Sequence, residues 1–389
     1  MTDPTDIDNL DAWLDGQFPS RQERTYANHA AIAPWPKCVA DAITAFTMEN
    51  LRDGAQHYAR WLRETDALRE RIARIINAGS GDDIALTANT TEGVDIVARG
   101  LPWRAGDNIV SVEGEFPTNR LAWERLASRG VELRRVDIRA AEDPEAALVA
   151  QFDDRTRLLA VSAVQWIDGF RLDLDRLGKA CRDNGTAFFV DAIQQLGALP
   201  MDVQAAQVDF LACGGHKWLL APEGIGLFYA APRWRDELVA ARVGWRMRER
   251  PYDFDHGDQR DAAGGRRFEP GTPNTLGQVA LNAALEMHEQ VGRERVGQRV
   301  LANTGRLVDG LGAISGARVL SRWQADRRSG IVAFQPGTAS PKIFCGRLER
   351  QNVICAPRGK CVRISPHFYQ GKEDIDRILE AIGSAMSTD

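Results

Sequence analysis

From about residue 36 the apolar positions fall at three- and four-residue steps. The runs "CVADAITAFTMENLRD" and "ARWLRETDALRERIARIINA" carry this spacing. On a 3.6-residue turn it lines up one apolar face, so it predicts two amphipathic helices. Further on, short apolar runs alternate with amphipathic stretches. "DIALT" precedes the helix-like "TEGVDIVARGL", and "NIVSV" precedes "NRLAWERLASRG". "VELRRVDI" leads to "DPEAALVAQF", and "RLLAVSAV" leads to "DLDRLGKACRDNG" and then "AFFVDA". Strand–helix–strand alternation of this kind predicts an α/β fold with a mostly parallel sheet and helices on both faces. Ligands of such sheets bind at the carboxyl ends of the strands.

Near residue 275 the pattern changes. "TLGQVALNAALEMHEQVGRERVGQRVLANTGRLVDGL" predicts one or two long helices. Shorter strands follow ("ARVL", "GIVAFQ", "VICA", "CVRIS"), then a closing helix, "EDIDRILEAIGSAM". The expected organisation is an N-terminal segment over 1–25, a large domain over 26–272 and a smaller α+β domain over 273–389. No repeat, P-loop or GxGxxG fingerprint is present, so ATP and dinucleotides lack their usual signals.

Composition narrows the picture modestly. Of 389 residues, 44% are hydrophobic and 26% charged, as in an ordinary globular chain, and the net charge is −5. Arg246, Arg248, Arg250, Arg266 and Arg267 are interleaved with acids, so no nucleic-acid footprint is expected. The six cysteines form no CxxC pair, which argues against a zinc ribbon and a disulfide framework. The acidic start "MTDPTDIDNLDAWLDG" does not read as a signal peptide, and no apolar run reaches the ~18 residues of a membrane span. A cytoplasmic, reducing location is the expectation.

Three motifs carry chemistry. In "DFLACGGHKWLLAPEGIGLFY" a single lysine, Lys217, stands between two strand-like runs. A buried ammonium is costly unless paired or neutralised, although a plain surface turn is the competing reading. In "FFVDAIQQLGALPMDV", Asp191 closes an apolar strand, where it serves either a partner charge or as a helix N-cap. In "LTANTTEGVDIV" a strand passes through Asn89, Thr90 and Thr91 into a helix. That start suits a phosphate, or is simple capping. Only one strand separates Asp191 from Lys217, so both belong at one rim of the sheet. A phosphate cradle, a strand-end aspartate and a lone lysine together match pyridoxal 5′-phosphate (PLP). That cofactor needs a Schiff-base lysine, an acid that keeps its ring nitrogen protonated and an anchor for its phosphate.

With "RFEPGTPNTLGQVAL" added, these motifs resemble the class V aminotransferase superfamily of fold-type I PLP enzymes. The branch of cysteine desulfurases, selenocysteine lyases and isopenicillin N epimerase-like proteins is the most similar. The resemblance runs from "TYANHAAIAPWP" to "RISPHFYQGKEDIDRIL". It implies that Lys217 forms the Schiff base, that Asp191 pairs with the pyridinium and that Gln194 touches the cofactor's phenolic oxygen. Thr90 and Thr91 would hold the phosphate, with His216 helping. Phe116 falls where relatives stack a ring on the pyridine face, the alternative being core packing. Thr272 would reach the partner subunit's phosphate in a homodimer with shared active sites. Arg363 would bind the substrate α-carboxylate through a guanidinium fork, or form a surface ion pair. His29 would lie near the substrate pocket, whereas His57, His256, His288 and His367 carry no assigned task.

Two departures from the family pattern stand out. Gly214 replaces a serine often found three residues before the lysine, and Gln165 stands where many relatives place an asparagine near the cofactor. Persulfide-forming desulfurases carry a cysteine on a mobile loop before the substrate arginine. Here Cys355 is only eight residues before Arg363, in an apolar "ICA" context, and Cys361 is closer still. The expected activity is carbon–sulfur cleavage of a cysteine-like L-amino acid, as a lyase or desulfurase. Transamination and epimerisation are the alternatives.

Overall fold

The predicted alternation is realised as a seven-stranded sheet, a four-stranded sheet, a two-stranded pair and their helices in a computed structural model, which describes residues 7–235, 237–255, 260–322 and 324–387. Two residues, β1 (Thr25–Tyr26), precede the helices Lys37–Asp53 and Tyr58–Ile76, both expected from the three- and four-residue spacing. The large sheet follows. Its strands are β2 (Ile84–Thr87), β3 (Asn108–Val112), β4 (Glu132–Val136), β5 (Thr156–Ser162), β6 (Ala187–Asp191), β7 (Phe210–Gly214) and β8 (Gly226–Ala230). They lie in the order β2-β8-β7-β6-β5-β3-β4, and β8 alone runs against its neighbours.

Alternation along each strand sends side chains to opposite faces. In β6, Phe188 and Val190 join the core on one side, while Ala187 and Phe189 join the core on the other. Helices cover both faces, so the central strands are buried throughout, and their apolar runs show no hydrophobic–polar alternation.

The long apolar stretch after residue 275 forms two helices, Thr275–Val291 and Arg293–Ala313. Gly292 separates them at φ 87°, a left-handed conformation that glycine adopts without a Cβ penalty. A smaller antiparallel sheet follows, ordered β12 (Ala356–Arg358), β13 (Cys361–Ile364), β10 (Val332–Pro336) and β9 (Ala317–Val319). Its core gathers Leu307, Phe334, Phe344, Ile375 and Ile378.

The N-terminal segment packs against this smaller sheet's unit. β1 pairs in parallel with β11 (Val353–Ile354), and Asn28 bridges to Ser365. Leu10, Leu14 and Phe18 are buried beside Trp218, Phe368 and Tyr369. Among the histidines without a task, His57 sits on the surface near Asp53, whereas His288 and His367 are buried. His256 lies outside the described residues. No described helix is long and apolar enough to cross a membrane.

Candidate active site

β6 and β7 are parallel neighbours, so their carboxyl ends open on the same rim. β6 ends at Asp191, and β7 ends at Gly214 before the turn Gly215-His216-Lys217. Backbone approaches here are close. A Cβ on Gly226 would lie 2.5 Å from the Cys213 carbonyl oxygen, so β7 and β8 meet at a position only glycine fits. Opposite this turn, β2 leads through Asn89 into the helix Thr90–Gly100. Asn89 caps that helix by accepting from Glu92 N–H (3.0 Å), and Glu92 accepts from Ala88 N–H (2.6 Å). Thr90 Oγ1 accepts from Gly214 N–H (3.0 Å), which ties the helix start to the lysine turn. Capping is therefore made by Asn89 and Glu92, and it leaves the helix start open to the space beside it. The helix N-terminus faces a cavity of about 350 Å³ whose walls include Asn89, Thr90 and Thr91.

Lys217 and Asp191 also line this cavity. Burial lowers the Lys217 ammonium to about 8, Asp191 opposes the shift, and Arg363 adds to it. Burial raises the Asp191 carboxyl to about 6, and the negative Glu115 contributes in the same direction. Asp191 is fixed by two donors within the chain: Ile193 N–H to Oδ1 and Asn119 Nδ2 to Oδ2, each at 2.9 Å. Phe116 stands on the opposite wall, its ring centroid 5.7 Å from Lys217 Nζ and its edge against Trp166.

Arg363, on β13, is 1% exposed and donates through Nη1 to the Trp166 carbonyl (2.7 Å). Its Nε and Nη2 have no acceptor within the described chain, and burial lowers it to about 9. A buried guanidinium with two unused N–H donors on a cavity wall calls for an anion of carboxylate shape. Arg358, from β12, lines the same wall and went unnoticed in the sequence.

The structure thus brings Thr90, Thr91, Phe116, Asp191, Gln194, His216, Lys217 and Arg363 to one cavity. Gln194 also braces the wall, donating to the Ala30 carbonyl (3.1 Å) and accepting from Trp218 Nε1 (3.0 Å). Three other expected residues lie elsewhere. Gln165 is turned inward, donates to Glu115 Oε1 (3.2 Å) and does not line this cavity. His29 is fully buried beneath the wall, its ring nitrogens engaged by the Ser365 carbonyl (2.8 Å) and Tyr369 hydroxyl (2.7 Å). Its neighbours Ala30, Ala31 and Ile32 take the place at the cavity surface. Thr272 is exposed and does not line this cavity. Glu115, Asn119 and Ser162 also escaped the sequence reading. The available signal was polar residues at the carboxyl ends of strands, where "VEGEF" and "AVSAV" carry them.

The sequence pattern of the aminotransferase class-V family matches residues 25–378. Among similar proteins, a probable cysteine desulfurase of Methanothermobacter thermautotrophicus is 30% identical, over 94% of this chain and 95% of its own. Isopenicillin N epimerase of Streptomyces clavuligerus is 32% identical, over 91% and 93%. A cystine C–S lyase, solved in complex with its product cysteine persulfide, superposes with a TM-score of 0.86 at 28% identity, covering 94% and 99%. The chain belongs to the class V aminotransferases, and its cofactor is pyridoxal 5′-phosphate. The residues present fit that group: a helix N-terminus for phosphate, a buried carboxylate for the ring nitrogen, and a lysine whose ammonium is destabilised.

Proposed function

We propose that this PLP enzyme cleaves the carbon–sulfur bond of a cysteine-like L-amino acid as a β-eliminating lyase. When bound, PLP supplies an aldehyde for amine linkage and a protonated ring that withdraws electrons from the substrate α-carbon. Thr90, Thr91 and the amides of their helix end bind the phosphate, with His216 at hand. Asp191 holds the proton at the ring nitrogen. Arg363 orients the α-carboxylate with its two unused donors. Lys217 Nζ takes the α-proton and later returns it to a leaving or product atom. For cysteine the balance is cysteine plus water giving sulfide, pyruvate and ammonia, with no external oxidant. Thr272, exposed in one chain, is read as a contact to the partner subunit's phosphate in a homodimer.

The observation that carries the lyase reading concerns the thiols. No cysteine lines the cavity among the described residues. Cys355 lies between β11 and β12 with its Sγ 3.6 Å from Cys345 Sγ, and that contact together with burial holds its thiol well above the usual range. Cys361 donates to the Arg358 carbonyl (3.0 Å), and burial raises it too. A persulfide carrier needs an accessible thiolate. Cys355→Ala and Cys361→Ala are therefore each expected to keep more than about half of wild-type turnover, a change within the few tenths of a kcal/mol typical of uninvolved sites. Turnover should be assayed with cysteine and cystine while sulfide, pyruvate and alanine are all quantified. Pyruvate as the carbon product supports elimination. Alanine as the product, with turnover lost in Cys355→Ala, identifies a persulfide-forming desulfurase instead, and a keto acid retaining the side chain identifies transamination.

Arg363→Ala is expected to raise KM far more than it lowers kcat. Hydrogen bonds to a charged group contribute about 1.5–3 kcal/mol, so KM should rise roughly ten- to a hundredfold. Steady-state kinetics over a wide substrate range checks the split.

A further inference from the structure

Behind Asp191 lies a buried polar chain that the proposed chemistry does not use. Glu115, 6% exposed, accepts three donors: Ser162 N–H (2.7 Å), the Ser162 hydroxyl (2.5 Å) and Gln165 Nε2 (3.2 Å). In all three contacts Glu115 acts as the acceptor. Because the Ser162 proton goes to Glu115, the Ser162 oxygen is left as an acceptor. It takes that role toward Asn119 Nδ2 at 3.1 Å. The Asn119 amide is thereby forced to present its NH₂ group, which also donates to Asp191 Oδ2 at 2.9 Å.

Two orphaned atoms mark the direction of this chain. Asn119 Oδ1 and Gln165 Oε1 are both buried with no hydrogen-bond partner among the described residues. Each amide leaves its acceptor unmet so that its donors point at a carboxylate or at Ser162. Flipping either amide would set oxygen against oxygen. The network therefore has one consistent set of donors and acceptors, and Glu115 imposes it.

We infer that Glu115 is a positioning residue that, through Ser162 and Asn119, fixes the orientation of Asp191 toward the cofactor's ring nitrogen. The inference rests on the PLP reading of the site. On the Asp191 carboxyl the two influences oppose each other, the Glu115 charge raising it and the Asn119 donor lowering it, so what the hydrogen bonds supply is orientation. A second carboxylate behind Asp191 favours a positive ring nitrogen, and the oriented Asn119 donor keeps Asp191 Oδ2 in place. The other titratable groups that bear on Asp191 are Lys217, on the cavity side, and the Cys213 thiol of β7.

The test uses the full chain reconstituted with PLP labelled with ¹⁵N at the ring nitrogen, read by NMR alongside cofactor content. In the wild type the ring nitrogen is expected to be protonated at pH 8. Glu115→Gln keeps the shape but removes the charge and offers an NH₂ where Ser162 donates. It should lower the protonated fraction severalfold and reduce kcat with little change in KM. Ser162→Ala keeps the charge and breaks the relay, and should shift the ¹⁵N resonance in the same direction by less. A ¹⁵N resonance unchanged from wild type in Glu115→Gln, with PLP bound, overturns the inference. If Glu115→Gln does not fold, an unchanged resonance in Ser162→Ala overturns it equally. A wild type that binds no PLP fails the underlying cofactor reading instead, so the two failures are distinct.

Discussion

Lys217→Ala is expected to lower turnover about 10²–10⁴-fold, the range contributed by a positioned acid–base group, and covalent attachment disappears with it. Borohydride treatment should fix PLP to the wild-type chain at Lys217 and leave the variant unlabelled. A reducible adduct of equal yield in Lys217→Ala would refute the assignment. The loss is chemical rather than structural, and the lysine's own titration gives a way to show this. Its folded-state value near 8 lies below the ordinary 10.5, so the folded apoprotein binds fewer protons than the unfolded chain between those values. The buried ammonium's cost is then present in full below about pH 8 and fades as pH rises toward 10.5. At pH 7 the Lys217→Ala apoprotein should melt no lower than the wild type, and its advantage should shrink on the alkaline side. Calorimetry of the two apoproteins at pH 7 and pH 10 checks the sign.

Asp191→Asn is the second large effect. The variant keeps the size of the side chain and loses the charge that holds the ring proton. A charge-assisted hydrogen bond to a buried group is worth about 1.5–3 kcal/mol, which predicts a ten- to hundredfold fall in kcat. PLP should still bind, because the helix end at Thr90 and Thr91 and the linkage at Lys217 remain. The decisive comparison is kcat at equal cofactor occupancy. A rate within twofold of wild type, with PLP bound, removes Asp191 from the proposed chemistry. The substitution also places an amide opposite the Asn119 NH₂ group, so the asparagine must turn its oxygen toward Asn119 to avoid a donor–donor clash. That turn sets its NH₂ against the Ile193 N–H from which Asp191 Oδ1 accepts, so either orientation leaves one donor facing another.

Much of the site was legible because strand ends are legible. Asp191 and Lys217 each follow an uninterrupted apolar run, and adjacent parallel strands carry their ends to one rim. Thr90 and Thr91 could be placed because a strand, a cap residue and a helix succeed each other within a few positions. Arg363 stood out as a charge within an apolar β-strand pattern. What the sequence concealed depends on side-chain direction or distant pairing. Gln165 follows a strand end just as Asp191 does, yet its side chain is drawn to Glu115, a partner fifty positions earlier that no local pattern reveals. His29 sits one residue from the cavity wall. Whether it or Ala30 faces inward is decided by Ser365 and Tyr369 at the other end of the chain. The reversed strand β8 was equally hidden, since an apolar run says nothing about its direction.

The pairing of β1 with β11, and of His29 with Ser365 and Tyr369, has a consequence for how the molecule is made. Residues 30–32 are among the first parts of the cavity wall to leave the ribosome, and the segments that hold them are among the last. The large sheet can form while synthesis continues, because all of its strands lie before residue 231. The wall beside Lys217 cannot close until the C-terminal residues arrive, and contacts so distant in sequence are slow to form. A nascent chain lacking its last strand and helix therefore presents the lysine turn, the phosphate end and an open rim. Competence for catalysis therefore waits on the segment around Ser365 and Tyr369, made more than three hundred residues after the wall it holds.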